Sequence, residues 1–149
     1  RRKVPRIVVE LGRALTGNAQ LLLTRVVTTR AVADRPAMAV LDAGINLASI
    51  MRHERHQIFL ASRSVTNSLQ PYRLVGPICQ PGDVISYSVR LPELHSGDLL
   101  AIMDSGAYFE SDSTVFSFPR PGTLVVAGSE VHLARRAETL EDIISRDRA

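Results

Sequence analysis

The stretch VGPICQPGDVISYSVRL, residues 75–91, joins two turn signals to a run of branched apolar residues. Gly76-Pro77 and Pro81-Gly82-Asp83 favour turns. The run that ends at Leu91 is typical of a β-strand. Between the two turns lies Cys79, the only cysteine in the chain. Turns separated by short strand-forming runs indicate a mainly β fold.

The same pattern continues along the rest of the chain. Turn signals recur about every ten residues, which is a spacing typical of an all-β sandwich or barrel. We therefore predict an antiparallel β-barrel or sandwich over residues 20–136. Further apolar runs between the turns lie at residues 7–9, 21–27, 37–41 and 99–103.

Three local patterns refine this prediction. The apolar residues 124–126 and 131–133 flank Ala127-Gly128-Ser129-Glu130, which predicts a hairpin. Thr139 has an acid three residues later and is the expected N-cap of a C-terminal helix near 139–146. Residues 47–56 have a mixed pattern that fits either a short helix or an irregular segment.

Composition bounds the class of protein. The chain has 149 residues, 45% of them hydrophobic and 22% charged, which fits one soluble domain. A single cysteine excludes an internal disulfide and fits a reducing, cytoplasmic compartment. No apolar run approaches the 18 residues or so of a membrane span, so we expect no membrane association. The chain does not begin with methionine, which would fit a piece of a longer protein.

The charge does not indicate nucleic acid as a partner. The net charge is +3 and the sequence pI is about 9.6. However, the arginines are scattered, and the chain has no tryptophan and few other aromatic residues for stacking on bases. A solvated basic surface explains this composition better than nucleic-acid binding.

Cys79 and the segment Glu10-Leu11-Gly12-Arg13 are the first candidates for chemistry. Cys79 is either a small buried hydrophobe or an exposed thiol held between turns. Glu10-Leu11-Gly12-Arg13 follows an apolar run. It is either a cradle for an anion or an ordinary strand end with a surface arginine.

Three further patterns are weaker evidence for a functional site. Tyr108 follows a glycine after the run at 99–103 and is either a site phenol or a core residue. His53 and His56 are three residues apart, whereas the zinc-protease helix pattern needs a spacing of four, so we expect no metal site. No Gly-x-Ser-x-Gly motif accompanies His95 and Asp98, so a hydrolase triad is not expected.

Taken in order, these segments resemble the C-terminal β-domain of the fold-type III pyridoxal-phosphate decarboxylases, the diaminopimelate/ornithine decarboxylase family. The similarity runs from Val4 to about Asp147. It rests on the ordered motifs ELGR at 10–13, LLLTRV at 21–26, DAGIN at 42–46, VGPIC at 75–79, LPEL at 91–94, GD at 97–98, DSGAY at 104–108 and RRAET at 135–139. The resemblance implies residues 1–13 as the end of a (β/α)8 barrel and 14–149 as the β-domain.

The resemblance also implies roles for individual residues. Glu10 would meet the pyridine nitrogen of pyridoxal phosphate, while Gly12, Arg13 and Tyr108 would hold its phosphate. Cys79 would be catalytic, reaching across a homodimer interface to direct protonation after CO2 leaves. The substrate would be a small amino acid.

The chain departs from the family at the positions that would contact the far end of the substrate. The family commonly has an acid after the cysteine, where this chain has the neutral Gln80. The family's arginine for a distal carboxylate falls at Ile50, with Arg52 as a possible substitute. We therefore expect Gln80 and Arg52 to contact a substrate with a modified distal end.

The barrel and its cofactor-binding lysine would lie upstream, and Lys3 is too close to Glu10 to be that lysine. The resemblance therefore implies that this chain alone is inactive and binds no pyridoxal phosphate, although the intact enzyme would. The alternative is a non-catalytic β-domain that serves as a dimerising or binding module.

Overall fold

The computed structural model describes residues 4–65 and 68–148. Lys3 lies outside the described residues. Within these ranges the chain forms eight strands, two short α-helices and two 3-10 helices. The strands are β1 (Leu22–Arg30), β2 (Ala37–Leu41), β3 (Ile58–Leu60), β4 (Gln70–Val75), β5 (Val84–Leu91), β6 (Leu99–Ile102), β7 (Thr123–Ala127) and β8 (Glu130–Arg135). The helices are α1 (Arg13–Thr16), α2 (Leu140–Ile144) and the 3-10 turns Gly17–Ala19 and Ser49–Arg52.

Six strands form one sheet in the order β3-β6-β1-β2-β4-β5, which curves into a nearly closed, barrel-like surface. All neighbours are antiparallel except β2 and β4, which run parallel with Ala37 opposite Tyr72. The predicted mainly β fold is confirmed, and this parallel pair is a difference from the antiparallel pattern expected. The chain between β2 and β4 must cross over the sheet, because two parallel strands cannot be joined by a hairpin turn.

The core lies on the inner face of this sheet. In β1, Thr24 and Val26 are buried while Leu23, Arg25 and Val27 between them are exposed, which is the period-2 burial of a half-buried strand. The buried hydroxyl of Thr24 donates to Asp42 at 2.7 Å, so it is not left unpaired. The largest fully buried apolar side chains are Leu41, Leu74, Leu100, Ile102 and Val26.

The strand expected at residues 7–9 is not formed. Ile7, Val8 and Val9 lie in an exposed segment that is neither helix nor strand. A strand needs a neighbour for its backbone N–H and C=O groups, and no described strand pairs with this segment. The expectation that residues 1–13 form the end of a barrel stays a prediction.

The predicted hairpin and C-terminal helix are both confirmed. In β7 and β8, Ala127 pairs with Glu130, and Gly128 takes a φ of 64° at the first position of the two-residue turn. Thr139 caps α2 through a capping box in which Asp142 bonds back to the Thr139 N–H. Residues 47–56 contain the 3-10 turn Ser49–Arg52. None of the helices in the described ranges is long and apolar enough to cross a membrane.

Asp98 ties the turn before β6 to its neighbours. Its carboxylate accepts two hydrogen bonds from the Arg63 guanidinium, each 3.0 Å long, and one from the His95 N–H at 2.8 Å. Ser62 donates a further bond at 3.0 Å. The hydrogen bonds from Arg63, more than any other cause, lower the pKa of Asp98 from 3.8 to about 2. The grouping of Asp98 with the Ser62 hydroxyl and with His95 is thus explained by its role in holding this turn in place.

We predict that Asp98→Asn lowers the free energy of unfolding by about 2 kcal/mol at pH 7. The folded pKa is depressed, so this stability is fully present above pH 3.8 and is lost as the pH falls through about 2. Urea unfolding at pH 7 and at pH 2 should therefore show a large difference between variant and wild type at pH 7 and a small one at pH 2. The exposed Asp112→Asn serves as the control, and equal midpoints for all three proteins at pH 7 would contradict the prediction.

Candidate functional site

A close backbone approach joins the end of β6 to the first helical turns. The Gly106 N–H donates to the Gly17 carbonyl at 2.9 Å, and the Ser105 N–H donates to the Gln20 carbonyl at 2.8 Å. A Cβ atom on Gly106 would lie only 1.8 Å from the Thr16 carbonyl oxygen. Only glycine fits at this position, and the contact directs the following residues toward the start of α1.

Tyr108, Gly12 and Arg13 meet at that point. The Arg13 guanidinium carbon lies 5.1 Å from the centroid of the Tyr108 ring. A Cβ atom added to Gly12 would stand 3.5 Å from the Tyr108 hydroxyl. Tyr108 has a φ of 71°, rare for a side-chain-bearing residue, and is 46% exposed. It is therefore not a core tyrosine, and three of the predicted cofactor residues are neighbours.

Glu10 is not part of the contacts among Gly12, Arg13 and Tyr108. It is exposed in the segment before Gly12 that forms neither helix nor strand. Its predicted role at the pyridine nitrogen stays a prediction.

Two residues that the sequence did not single out for this site complete the group. Glu54 forms an ion pair with Arg13. His56 is buried behind Glu54, and its Nδ1 lies 2.8 Å from the Met103 carbonyl. The only sequence signal for them is the stretch His53-Glu54-Arg55-His56, in which the histidine spacing does not fit the zinc-protease pattern. No group of three or more potential metal ligands occurs among the described residues.

The turn that carries Cys79 is held by a buried carboxylate. Asp83 accepts hydrogen bonds from the N–H groups of Ile45 at 2.8 Å and Ile78 at 2.9 Å. Gly44 and Gly76 pack beside it so closely that a Cβ atom on Gly76 would lie 2.3 Å from the Gly44 Cα. The loops after β2 and β4 are therefore locked together, and the position of Cys79 is fixed by this contact.

Cys79 and Gln80 lie on the exposed side of this turn. Cys79 is exposed, so the alternative of a buried hydrophobe is wrong for the chain as described. Gln80 and Arg52 share a cleft of about 330 Å³ that is also lined by Pro81, Gly82, Val84 and Tyr87. The structure thus places the two residues expected to contact the distal end of a substrate in one cleft.

A short segment links this cleft to the Arg13 group. Arg52 lines the cleft, and Glu54, two residues later, pairs with Arg13. Arg52 and Glu54 are two positions apart, so the distance between their Cα atoms is at most about 7.6 Å. The cleft and the group at Arg13 are therefore connected by one short segment of chain, residues 52–54.

Comparison with known proteins assigns the chain to a family. A family model described as "Pyridoxal-dependent decarboxylase, C-terminal sheet domain" matches residues 14–106. The chain belongs to this decarboxylase family. The match begins directly after Arg13 and ends at Gly106, two residues before Tyr108, so it includes the cleft residues Arg52 and Gln80.

Relatives of this decarboxylase domain are much longer proteins. The chain is 36% identical over 143 residues to the diaminopimelate decarboxylase of Methanothermobacter thermautotrophicus, covering 94% of the chain and 33% of the relative. It is 31% identical over 147 residues to the diaminopimelate decarboxylase of Bacillus subtilis, covering 97% and 34%. The chain therefore spans about a third of the length of the curated relatives it matches.

Solved structures share the decarboxylase domain's fold. The diaminopimelate decarboxylase of M. jannaschii in co-complex with L-lysine superposes with a TM-score of 0.87 at 28% identity, over 98% of this chain and 34% of that one. The lysine/ornithine decarboxylase of Vibrio vulnificus complexed with cadaverine gives a TM-score of 0.63 at 28% identity, over 71% and 29%.

We predict that Gly76→Ala destabilises the decarboxylase domain by about 3 kcal/mol, because the new methyl group would overlap the Gly44 backbone and the Asp83 carboxylate. The control is Gly128→Ala, where a Cβ meets no atom within 4 Å and only the φ of 64° is unfavourable, at a cost of about 1 kcal/mol. Thermal unfolding of both variants measures the difference. Equal losses of stability would show that the two loops do not need this close contact.

Proposed function

We propose that this chain is the C-terminal part of a pyridoxal-phosphate enzyme that decarboxylates an amino acid. The convergence of Gly12, Arg13 and Tyr108 carries the proposal. The Arg13 guanidinium and the Tyr108 hydroxyl can donate hydrogen bonds to a phosphate. Gly12 has no side chain to block access to its backbone N–H. Family membership and the names of the relatives support the reaction type.

The residues present fit the cofactor's chemical groups. Arg13 and Tyr108 would donate hydrogen bonds to the phosphate and orient it, while Gly12 leaves its backbone accessible. Glu10 would hold a proton at the pyridine nitrogen. Pyridoxal phosphate, when bound, supplies the electron sink for the pair left behind as CO2 departs. The Cys79 thiol would then deliver or direct a proton to the substrate's α-carbon.

The cleft at Gln80 supports a particular class of substrate. It contains one cationic side chain, Arg52, and no acid among its described lining residues. An ammonium group there would lose its hydration without gaining a carboxylate partner, whereas an anionic or neutral polar group could bind Arg52 or Gln80. We therefore propose a small amino acid whose distal end carries no free ammonium group.

The exposure of Cys79 supports a homodimer. A thiol held outside the chain's own core can reach a second subunit, and a two-fold interface would place each Cys79 at the partner's copy of the Arg13 group. Lys3, the only lysine in the sequence, is too close to Glu10 to be the cofactor-binding lysine that the family resemblance implies farther upstream, so we expect activity only from the intact protein.

The second candidate is a non-catalytic dimerising or binding module. It is favoured by the exposed apolar residues of the N-terminal segment and the β7–β8 hairpin, which indicate surfaces normally covered by other protein. The most exposed are Val4, Ile7, Val8, Val9, Val126 and Leu133, each at least 66% exposed.

The decisive experiment measures CO2 release by the full-length gene product supplied with pyridoxal phosphate. The substrates compared are meso-diaminopimelate, L-lysine and L-ornithine against L-2-aminoadipate and Nε-acetyl-L-lysine. We expect CO2 release, with a higher kcat/KM for the last two, because their distal ends carry no ammonium group. Higher kcat/KM for the ammonium substrates would overturn the substrate assignment alone.

Matched variants test the residue roles in the same protein. Tyr108→Phe removes one hydroxyl and should weaken binding of pyridoxal phosphate by about tenfold, whereas Tyr87→Phe, the same change in the cleft, should leave cofactor affinity unchanged. Cys79→Ala should lower kcat by about 100-fold with cofactor affinity unchanged. A dimeric, folded protein that binds no pyridoxal phosphate and releases no CO2 would favour the non-catalytic module.

A further inference from the structure

The ion pair between Arg13 and Glu54 anchors one side of the guanidinium. Glu54 Oε2 contacts Arg13 Nη1, with the two side chains 27% and 40% exposed. The main chain fixes Glu54, because its N–H donates to the Ile50 carbonyl at 3.1 Å at the end of the 3-10 turn. A guanidinium has five N–H donors, so a contact at Nη1 leaves Nε and Nη2 free for another acceptor.

His56 lies behind this pair with its ring held in one orientation. Its side chain is only 6% exposed. Nδ1 lies 2.8 Å from the Met103 carbonyl oxygen, which can only accept, so Nδ1 carries a hydrogen. The Phe109 ring packs edge-on, 5.2 Å between centroids.

The other ring nitrogen faces the Glu54 carboxylate. His56 Nε2 is buried and has no hydrogen-bond partner among the described residues, and it lies 3.6 Å from Glu54 Oε2. An unpaired buried polar atom is costly, so its placement needs an explanation. Because Nδ1 already carries a hydrogen, Nε2 can donate to Glu54 only when the ring is the imidazolium cation, and in that form a shift of well under 1 Å would bring the two atoms to hydrogen-bond distance.

We propose that Glu54 and His56 are positioning residues for Arg13, an inference that rests on the proposed role of Arg13 in holding the cofactor phosphate. His56 limits the movement of Glu54, and Glu54 holds Nη1 so that Nε and Nη2 face outward toward the phosphate. Neither residue touches the cofactor. Their contribution is to reduce the rotamer freedom that Arg13 would otherwise lose when it binds the anion.

The experiment compares the dissociation constants of pyridoxal 5′-phosphate and of pyridoxal, which lacks the phosphate, for the full-length gene product. The ratio used is the dissociation constant of pyridoxal divided by that of pyridoxal 5′-phosphate, and it reports the phosphate site alone. Arg13→Ala should lower this ratio, which tests the proposed function. Glu54→Ala should lower it by about tenfold in the wild-type background and have no effect in the Arg13→Ala background.

Two variants of His56 separate positioning from simple support of the fold. Asparagine places an amide nitrogen near the position of Nδ1, so His56→Asn keeps the bond to Met103 and loses the atom facing Glu54. Glutamine places an amide nitrogen near Nε2, so His56→Gln keeps the contact to Glu54 and loses the bond to Met103. We expect His56→Gln to retain the ratio and His56→Asn to lower it several-fold, and the exposed His53→Gln to match wild type.

The outcomes are distinct. If the ratio falls in Arg13→Ala and is unchanged or rises in Glu54→Ala, Arg13 binds phosphate but Glu54 does not position it, and the inference is overturned. A rise would show that Glu54 competes with the anion. If His56→Asn retains the ratio and His56→Gln loses it, His56 acts only through Met103 and its part of the inference is overturned. If Arg13→Ala has no effect on the ratio, the proposed phosphate site fails, and the inference fails with it.

Discussion

The buried carboxylate of Asp83 is the contact on which the arrangement of the functional surface depends. It accepts N–H groups from two loops, at Ile45 and Ile78, and two glycines allow those loops to approach it. The loops follow β2 and β4, which are parallel neighbours, so their carboxyl ends meet at one edge of the sheet. Each buried N–H would otherwise lose its hydrogen bond to water without replacement. One acid thus satisfies two loops and fixes the turn that presents Cys79 and Gln80.

The same edge explains why residues distant in sequence form one surface. The loop held by Asp83 leads through Ala48 into the 3-10 turn that presents Arg52 and then Glu54. Glu54 reaches Arg13 at the start of α1, while Gly106 delivers Tyr108 from the far end of β6. The cleft and the guanidinium group therefore depend on two close backbone contacts, Gly76 with Gly44 and Gly106 with Thr16, and on few long side chains. Such a frame is rigid because glycine–backbone contacts leave little room for adjustment.

The features that the sequence predicted correctly are those with local causes. Gly128 sets its hairpin turn, and Thr139 and Asp142 cap α2, all within a few residues of chain. The parallel pairing of β2 with β4 is set by packing across the sheet, which no local pattern records. The run at residues 7–9 has the composition of a strand but lacks a described partner, so composition alone could not decide its structure.

In the candidate site, too, the sequence predicted features with local causes and missed those that depend on distant contacts. The turn residues around Cys79 indicated an exposed thiol as one of two alternatives, and the ordered motifs grouped Arg13 with Tyr108 through resemblance. Glu54 and His56 were missed because their significance depends on Arg13 and Met103, each more than 40 residues away in the chain. A histidine–acid–histidine stretch suggests metal binding when considered alone. Only the folded chain shows that the His56 side chain is largely covered and lies against the Met103 carbonyl, whereas His53 is exposed.

The position of β1 inside the sheet has a consequence for biosynthesis. Its first residues pair with β6, so that Leu22 lies opposite Ile102, while its last residues pair with the adjacent β2. During synthesis, β1 and β2 can associate early, but the N-terminal half of β1 presents open backbone groups until β6 has been made. Unpaired edges of this kind recruit other chains, and distant pairings form slowly. A ribosome-bound intermediate therefore carries an exposed strand edge for most of the domain's translation, which is the period in which chaperone binding would have the greatest effect on its yield.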